Sequence, residues 1–368
     1  MRPETEKALI ITIEHQSRTL KMREKLLEII NQNAKVKTTN IDTLRMIEYN
    51  DNSEVQAMAA SILSGLITKY AAKTIEDLPE NGSVHICEYG CATGGSSIEP
   101  IKAIEGVATK RKLEIIMNDL PKNDWSTLKA LIEKKFPDIN FLYSAKTMYS
   151  PVAEAASIHL GFSCFAQHWL NGGAPTGLPG DALWANQLSP RCPEHESWQE
   201  ASRDNWQKKL ELRATEIIPG GRLILHIHSS LNDGALSERF ATTLQKAKAK
   251  MIANNELSKD QALDLLVPQY CKSPAEIFNI VCTPKINSLW QLEEAHYQQL
   301  LCDEQLEQTN IQKQIKFLKG FMDSTLKLSL NTSQLTQFWQ HVIELASEDK
   351  TALTSNGMST FMSLKRRQ

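Results

Sequence analysis

Five short apolar runs, spaced so that a helix or a long connection fits between each pair, constrain this chain more than any other feature. They are VHICEY beginning at Val84, LEIIMND (Leu113–Asp119), INFLYS (Ile139–Ser144), SIHLGFSCF (Ser157–Phe165) and RLILHIHSS (Arg222–Ser230). Runs this short and continuously apolar read as strands buried on both faces. Separated by helical runs of ten or more residues, they imply an α/β class: a Rossmann-like, doubly wound, mostly parallel sheet. Helices are expected from about Ser96 to Thr109, from an N-capping Asp124 to Phe136, and from about Glu194 to Ile218, where PGG should stop the last one. Beyond Asp233 the pattern is mostly helical up to Ser347. Two breaks stand out: PKINSLWQLEE (Pro284–Glu294), which passes for a strand, and the terminal STFMSLKRR, which alternates as an edge strand would. The helical part reads as a cap over the crevice where the strand order reverses, the usual ligand position in such sheets.

The boundaries that follow are an N-terminal helical extension over 1–40 and one domain over 41–368. Its core is assigned to about 80–230 plus 284–294 and 358–367, and its cap to about 175–215, 235–280 and 300–350. Within residues 4–31, Ile13, Leu20 and Leu27 recur at helical spacing among charges, so this helix either docks on the domain or makes a dimer contact. A homodimer is the expectation. A second helix is expected from about Ser53 to Tyr70.

A chain of 368 residues buries roughly 75% of its unfolded surface and needs no covalent staples. Lys and Arg total 41 against 43 Asp and Glu, which leaves no electrostatic footprint for nucleic acid or an anionic membrane. Seven scattered Cys are an odd count for a disulfide framework and suit a reducing interior. No stretch is apolar enough to span a membrane, and charges throughout the first thirty residues are unlike a signal peptide. The expected compartment is the cytoplasm.

The first strand ends in Glu88 and runs into Gly90, Cys91, Gly94 and Gly95. This E-x-G-x-x-x-G-G pattern is neither the G-x-G-x-x-G dinucleotide fingerprint nor a phosphate loop with its lysine. It leaves a carboxylate at the strand end and glycines beneath an adenosyl group, while Asp119 ends the second strand where a carboxylate can accept both ribose hydroxyls. Together these favour S-adenosylmethionine over NAD.

The segment MNDLPKNDW (Met117–Trp125) resembles the NDLPxNDF block of the plant SABATH carboxyl methyltransferases, which methylate salicylate, jasmonate, benzoate and related acids. Other blocks follow in the family's order. Tyr49 to Gln56 is similar to Y-x-x-N-S-x-x-Q, Glu88-Tyr-Gly90-Cys91 to D-L-G-C, and SCFAQHWL (Ser163–Leu170) to SSYSLMWL. IPGGRLIL (Ile218–Leu225) resembles VPGGRMVL, and VPQYCKSPAE (Val267–Glu276) resembles IPxYxPSxEE. The resemblance spans about 45–280 and, more loosely, the remainder.

It implies a role for each matching position. Tyr49 and Ser53 would contact the methionyl carboxylate of the cofactor. Glu88 stands at the motif-one Asp, Cys91 lines the same turn as Gly90, and Ser96 replaces an Asn. Asp119 would hold the ribose diol and Leu120 would pack on adenine. Ser144 and Ala145 fall at a Ser-Phe adenine contact, so one aromatic wall is lost. Gln56 and Trp169 match the Gln and Trp that tether the substrate carboxylate, and His168 falls where the plant enzymes vary with substrate. The implied reaction is methylation of a small hydrophobic or aromatic acid to its ester, leaving S-adenosylhomocysteine. N-methylation of a heterocycle such as a purine, and a relative without turnover, are the alternatives.

The residue types fit this chemistry. A carboxylic acid of pKa about 4 is already ionised at neutral pH, so no base is needed. Positioning, worth about 7–11 kcal/mol, then carries most of the catalysis. A Gln amide and an indole N–H fix a carboxylate without adding a charge that would hold the ground state. No metal is expected, because Leu263, Leu265 and Leu266 stand in the run where metal-bearing purine relatives have oxygen ligands, although Asn186 keeps one such position. His226 and His228 alternate on one strand without a third ligand at metal-like spacing and read as core or crevice histidines.

Overall fold

The computed structural model describes residues 54–78, 82–300, 311–354 and 357–368. The extension 1–40, Tyr49 and Ser53 lie outside them. The strands β1 (Val84–Tyr89), β2 (Leu113–Asp119), β3 (Asn140–Ala145), β4 (Ile158–Ser163), β5 (Ile217–Ser229), β6 (Trp290–Gln299) and β7 (Met358–Arg366) form one sheet in the order β3-β2-β1-β4-β5-β7-β6. The first five are parallel, and β7 runs antiparallel to both β5 and β6. The helices are α1 (Glu54–Glu76), α2 (Ile98–Val107), α3 (Trp125–Lys135), α4 (Pro193–Glu216) and α5 (Arg239–Ala253). They continue with α6 (Lys259–Asp264), α7 (Pro274–Val281), α8 (Pro284–Leu289), α9 (Ile311–Leu326) and α10 (Thr332–Glu348).

The period of two along a strand sorts the core into two layers. Ile86, Ile115 and Met117 face Leu63 and Ile67 of α1, Ile101 and Ile104 of α2, and Leu128 and Ile132 of α3. Their neighbours Cys87 and Tyr89, with Leu223 and Leu225, face Trp206 and Leu210 of α4 and Ile277 of α7. Apolar stripes of α5, α9 and α10 close on Leu183 and Trp184 to make the cap, a third cluster. As expected, the Asp124 carboxylate caps α3, accepting from Thr127 N–H at 3.2 Å.

Three expectations change. The terminal strand β7 is an inner strand, not an edge. Its hydroxyls are buried and all paired: Ser359 with His226 (2.8 Å), Thr360 with Ser229 (2.9 Å) and Ser363 with Glu293 (3.1 Å). The edge on this side is β6, whose polar Glu293, Glu294 and His296 suit an exposed ladder. The run from Pro284 divides at Trp290. Thr283 caps α8 with Pro284 in its first turn, and the strand starts only afterwards. Finally, α4 ends at Glu216 and PGG lies inside β5, beside a register shift between Ile158 and Leu160.

Candidate functional site

Strand register brings the ends of β1, β2 and β3 level, Tyr89 beside Asn118 and Asp119 beside Ala145. The turn after β1 therefore meets the residues after β2. Gly90 and Cys91 both donate backbone N–H to Asn118 O, at 2.9 and 3.0 Å. Ala92 is held at both ends: its N–H donates to Asp119 Oδ2 and its carbonyl accepts from Asn123 Nδ2, each at 2.6 Å. This grip keeps Ala92 at φ 46°, a left-handed conformation costly for a residue with a Cβ. Gly94, at φ +87°, has no room for a side chain, since a Cβ there would lie 2.7 Å from Leu128 Cδ1.

The turn borders an open cleft. One wall is Gly90, Ala92, Ser96, Asp119, Leu120 and Asn123; the other is Met148, Tyr149, Cys164, Phe165, Trp169 and, from the cap, Phe321. Of the residues singled out from sequence, Gly90, Ser96, Asp119, Leu120 and Trp169 thus meet in one place. The Asp119 carboxylate accepts from Ala92 N–H and from Leu120 N–H (2.7 Å), leaving lone pairs for a ligand. Burial pushes its pKa up while the two backbone bonds pull it down.

Others stand behind the lining. Glu88, on the face opposite Cys87 and Tyr89, is fully buried, and neither carboxylate oxygen has a partner among the described residues. Burial raises its pKa to about 8; the Ser97 hydroxyl nearby offsets this a little without a well-formed hydrogen bond, and Asp119 adds to the rise. Cys91 is buried, its thiol pushed well up by burial and then by Asp119 and Glu88. Ser144 accepts the Asn118 amide on its carbonyl and Ala145 is exposed, both at the end of β3. Thr147 and Met148, just beyond, line the cleft on that side instead. Gln56 is buried in the first turn of α1, outside the lining.

The second wall is fixed from behind. Arg213 and Glu216 form a buried pair at 2.8 Å. Arg213 donates to Met148 O and Ser150 O, and Glu216 accepts from Val152 N–H and Tyr89 O–H. Tyr149 O–H, its pKa raised by burial, donates to Trp169 O at 2.5 Å. Phe165 is left-handed at φ 55°, its N–H donated to His226 Nδ1 at 3.1 Å. Since Nδ1 accepts, Nε2 of His226 carries the proton toward Ser359, and burial keeps this imidazole neutral.

His168 is buried behind the lining, its Nδ1 without a partner among the described residues. Burial, then the charge of His228, holds its pKa well below the usual range. Burial works against charge on His228 too, but Cys271 and Glu238 beside it outweigh burial and hold it well above. His226 and His228 are thus the core and crevice residues their alternation suggested. Asn186 spends its amide on Gly234 O, Cys271 O and Cys271 N–H. Among the described residues, no three His, Cys, Asp or Glu side chains are grouped to hold a metal, and no helix is long and apolar enough to cross a membrane.

Sequence reading missed Asn123, Tyr149, Phe165 and Phe321. The first and third lie inside blocks already singled out, and their roles follow only from which backbone groups they meet. Phe321 comes from a cap helix and carries no local signal.

A family model described as SAM dependent carboxyl methyltransferase matches residues 45–367. "Probable caffeine synthase 4" of Camellia sinensis is 25% identical over 262 residues, 63% of this chain and 71% of its own. The salicylate/benzoate carboxyl methyltransferase of Arabidopsis thaliana is 24% identical over 256 residues, 63% and 67% of the two chains. A solved structure of loganic acid methyltransferase with S-adenosylhomocysteine shares the fold, with a TM-score of 0.74 at 16% identity, covering 90% of this chain and 98% of the other.

Proposed function

The chain belongs to the S-adenosylmethionine-dependent carboxyl methyltransferases, and from that premise we propose that it methylates the carboxylate of a small hydrophobic or aromatic acid. The residues of the first wall fit the cofactor. Asp119 has lone pairs for the ribose diol, Leu120 offers an apolar face to adenine, and Gly90 and Ala92 bring backbone close. Buried and without a partner among the described residues, Glu88 would accept a donor such as the cofactor's ammonium. When bound, S-adenosylmethionine supplies an electrophilic methyl group. Tyr49 and Ser53 are assigned to its carboxylate end, and the catalytic unit is taken to begin near residue 41.

One observation carries the choice of acceptor: among the described residues, the cleft lining holds no base poised to take a proton. Asp119 is assigned with its remaining lone pairs to the ribose diol, and burial raises the Tyr149 hydroxyl and the Cys164 thiol well above neutrality. The acceptor must then arrive ionised, as a carboxylate does. Trp169, whose indole N–H has no partner among the described residues, would orient it with Gln56, and Met148, Phe165 and Phe321 would exclude water. Because attack neutralises both partners, a dry apolar wall favours the transition state over the separated charges.

N-methylation is the second reading, favoured by His168, whose neutral imidazole, its Nδ1 without a partner among the described residues, lies beside Trp169 (ring centroids 5.9 Å apart). Turnover with methyl-labelled cofactor on a panel of acids, their amides and purines, with products identified by mass, separates the two. Methyl esters from acids alone are expected; an N-methyl product without any ester would overturn the carboxylate reading.

A further inference from the structure

Among the described residues, three histidines lie within ion-pair reach of a carboxylate. His296 meets Glu294 on the exposed edge strand at 2.6 Å, and His341 meets Glu256 in the cap at 3.0 Å. His228, near the end of β5, meets Glu238, whose Oε1 lies 3.1 Å from its Nε2. Glu238 immediately precedes α5, so this pair ties the start of a cap helix to the end of the sheet. The His228 ring also packs on the acceptor wall. It stacks on Phe165, with ring centroids 5.7 Å apart and planes 27° from parallel. On another side it meets His168 edge-on at 5.3 Å, and His168 lies beside Trp169.

Phe165 needs such support. Its left-handed backbone, at φ 55°, persists only where the surroundings over-determine it. His226 holds it from one side, accepting its N–H and packing at 4.3 Å between ring centroids. His228 holds the ring from another. Burial keeps His226 and His168 neutral, and the charge on His228 adds to that effect. Burial opposes charge on His228 as well, but Cys271 and Glu238 outweigh it, so one cation stands among neutral rings. A cation over an aromatic face is attracted by the ring's quadrupole, and Glu238 gives it the counter-charge a buried ion needs.

We propose that His228, anchored by Glu238, is a positioning residue for methyl transfer: it fixes the Phe165 ring in the cleft lining and couples the pitch of that ring to the seating of the cap. This role presupposes that the wall receives the acceptor, and it applies to an acid or a heterocycle alike. His228 lies behind the lining and acts through Phe165 and His168. Losing its charge should tilt the acceptor without releasing the cofactor, so kcat suffers more than KM. Because its pKa is raised, the charge is present at neutral pH and is lost as pH climbs through that pKa.

Glu238→Gln tests the role, since the amide keeps the shape and removes the counter-charge. With the panel compound that is turned over fastest, kcat should fall roughly tenfold while KM changes less than about threefold. Affinity for S-adenosylhomocysteine should stay as it was. The alkaline fall in kcat should also move toward neutral pH, because a group that raised His228 is gone. Glu256→Gln, the same change in the cap pair, should do neither. An unchanged kcat, or an alkaline fall that does not move, would reduce the pair to a structural tie and overturn the role. A second readout needs no acceptor. In protein labelled with fluorophenylalanine, the Phe165 fluorine resonance, identified by its loss in Phe165→Leu, should shift as His228 titrates. The shift should come at lower pH in Glu238→Gln and be absent in His228→Gln. If it is seen and no panel compound is methylated, the functional reading fails while the support of Phe165 stands. If neither variant folds, the wild-type titration decides alone: a resonance unmoved at alkaline pH would contradict the proposal whatever is methylated.

Discussion

On the cofactor side of the cleft, neighbouring side chains grip backbone: Asp119 and Asn123 hold the amide and carbonyl of Ala92, and all three line the cavity. On the acceptor side the grip comes from behind, where the buried pair of Arg213 and Glu216 pins Met148, Ser150 and Val152 from a different helix. On the proposed assignment, the first wall offers hydrogen-bonding groups to the cofactor, and the second offers apolar faces, with its charges hidden, to the acceptor. The two walls should therefore fail separately, one losing cofactor affinity and the other losing stability and turnover.

The largest separation is expected from Arg213→Met, which leaves Glu216 buried without its cation. Such a break costs about 3–5 kcal/mol, visible in denaturant melts, while the protein still folded should bind S-adenosylhomocysteine almost as before. A parallel loss of cofactor affinity would join the two walls. Asp119→Ala should do the reverse, weakening S-adenosylhomocysteine by about 3 kcal/mol, roughly a hundredfold by calorimetry. A folded variant with unchanged affinity would remove Asp119 from the cofactor site.

Smaller effects sharpen the contrast. Trp169→Phe and Gln56→Ala should each lower kcat/KM by about 1.5–3 kcal/mol, roughly ten- to a hundredfold, and spare cofactor affinity. A drop in cofactor affinity instead would move either residue to the other wall. The pH dependence of stability tests Glu88. Its folded pKa of about 8 lies above the ordinary 4.5, so the native state keeps a proton that the unfolded chain releases between those values. Stability from this group therefore falls as pH rises from about 4.5 to 8, by at most about 1.4 kcal/mol per pH unit. Glu88→Gln should remove that slope from melts of the free protein; an unchanged slope would mean Glu88 is ionised when buried.

The cofactor side could be read from sequence because its parts lie close along the chain and each demands a residue type. The left-handed turn after β1 favours Gly94, and Asp119, the carboxylate at the end of β2, reaches the Ala92 N–H across that turn. Strands β1 to β5 were legible for the same reason, as short apolar runs with room for crossovers. The acceptor side was not. Phe321 reaches the cleft from α9, and Glu238 meets His228 only because the start of α5 packs on the end of β5. The edge was misplaced because alternation in the terminal strand describes its faces, not whether its ladder is paired; β6, distant in sequence, pairs with it along its whole length as an antiparallel ladder.

The central claim is that the acceptor arrives ionised and the protein only positions it. Single-turnover methyl transfer to an acid substrate, with cofactor saturating so that Glu88 does not enter, measures this directly as a function of pH. The predicted profile is flat from about pH 6 to 8, since a carboxylic acid is already charged there and burial keeps His168 neutral throughout. A rate that climbs tenfold per pH unit across that range would show that a proton must leave before the methyl group moves, and would contradict the account.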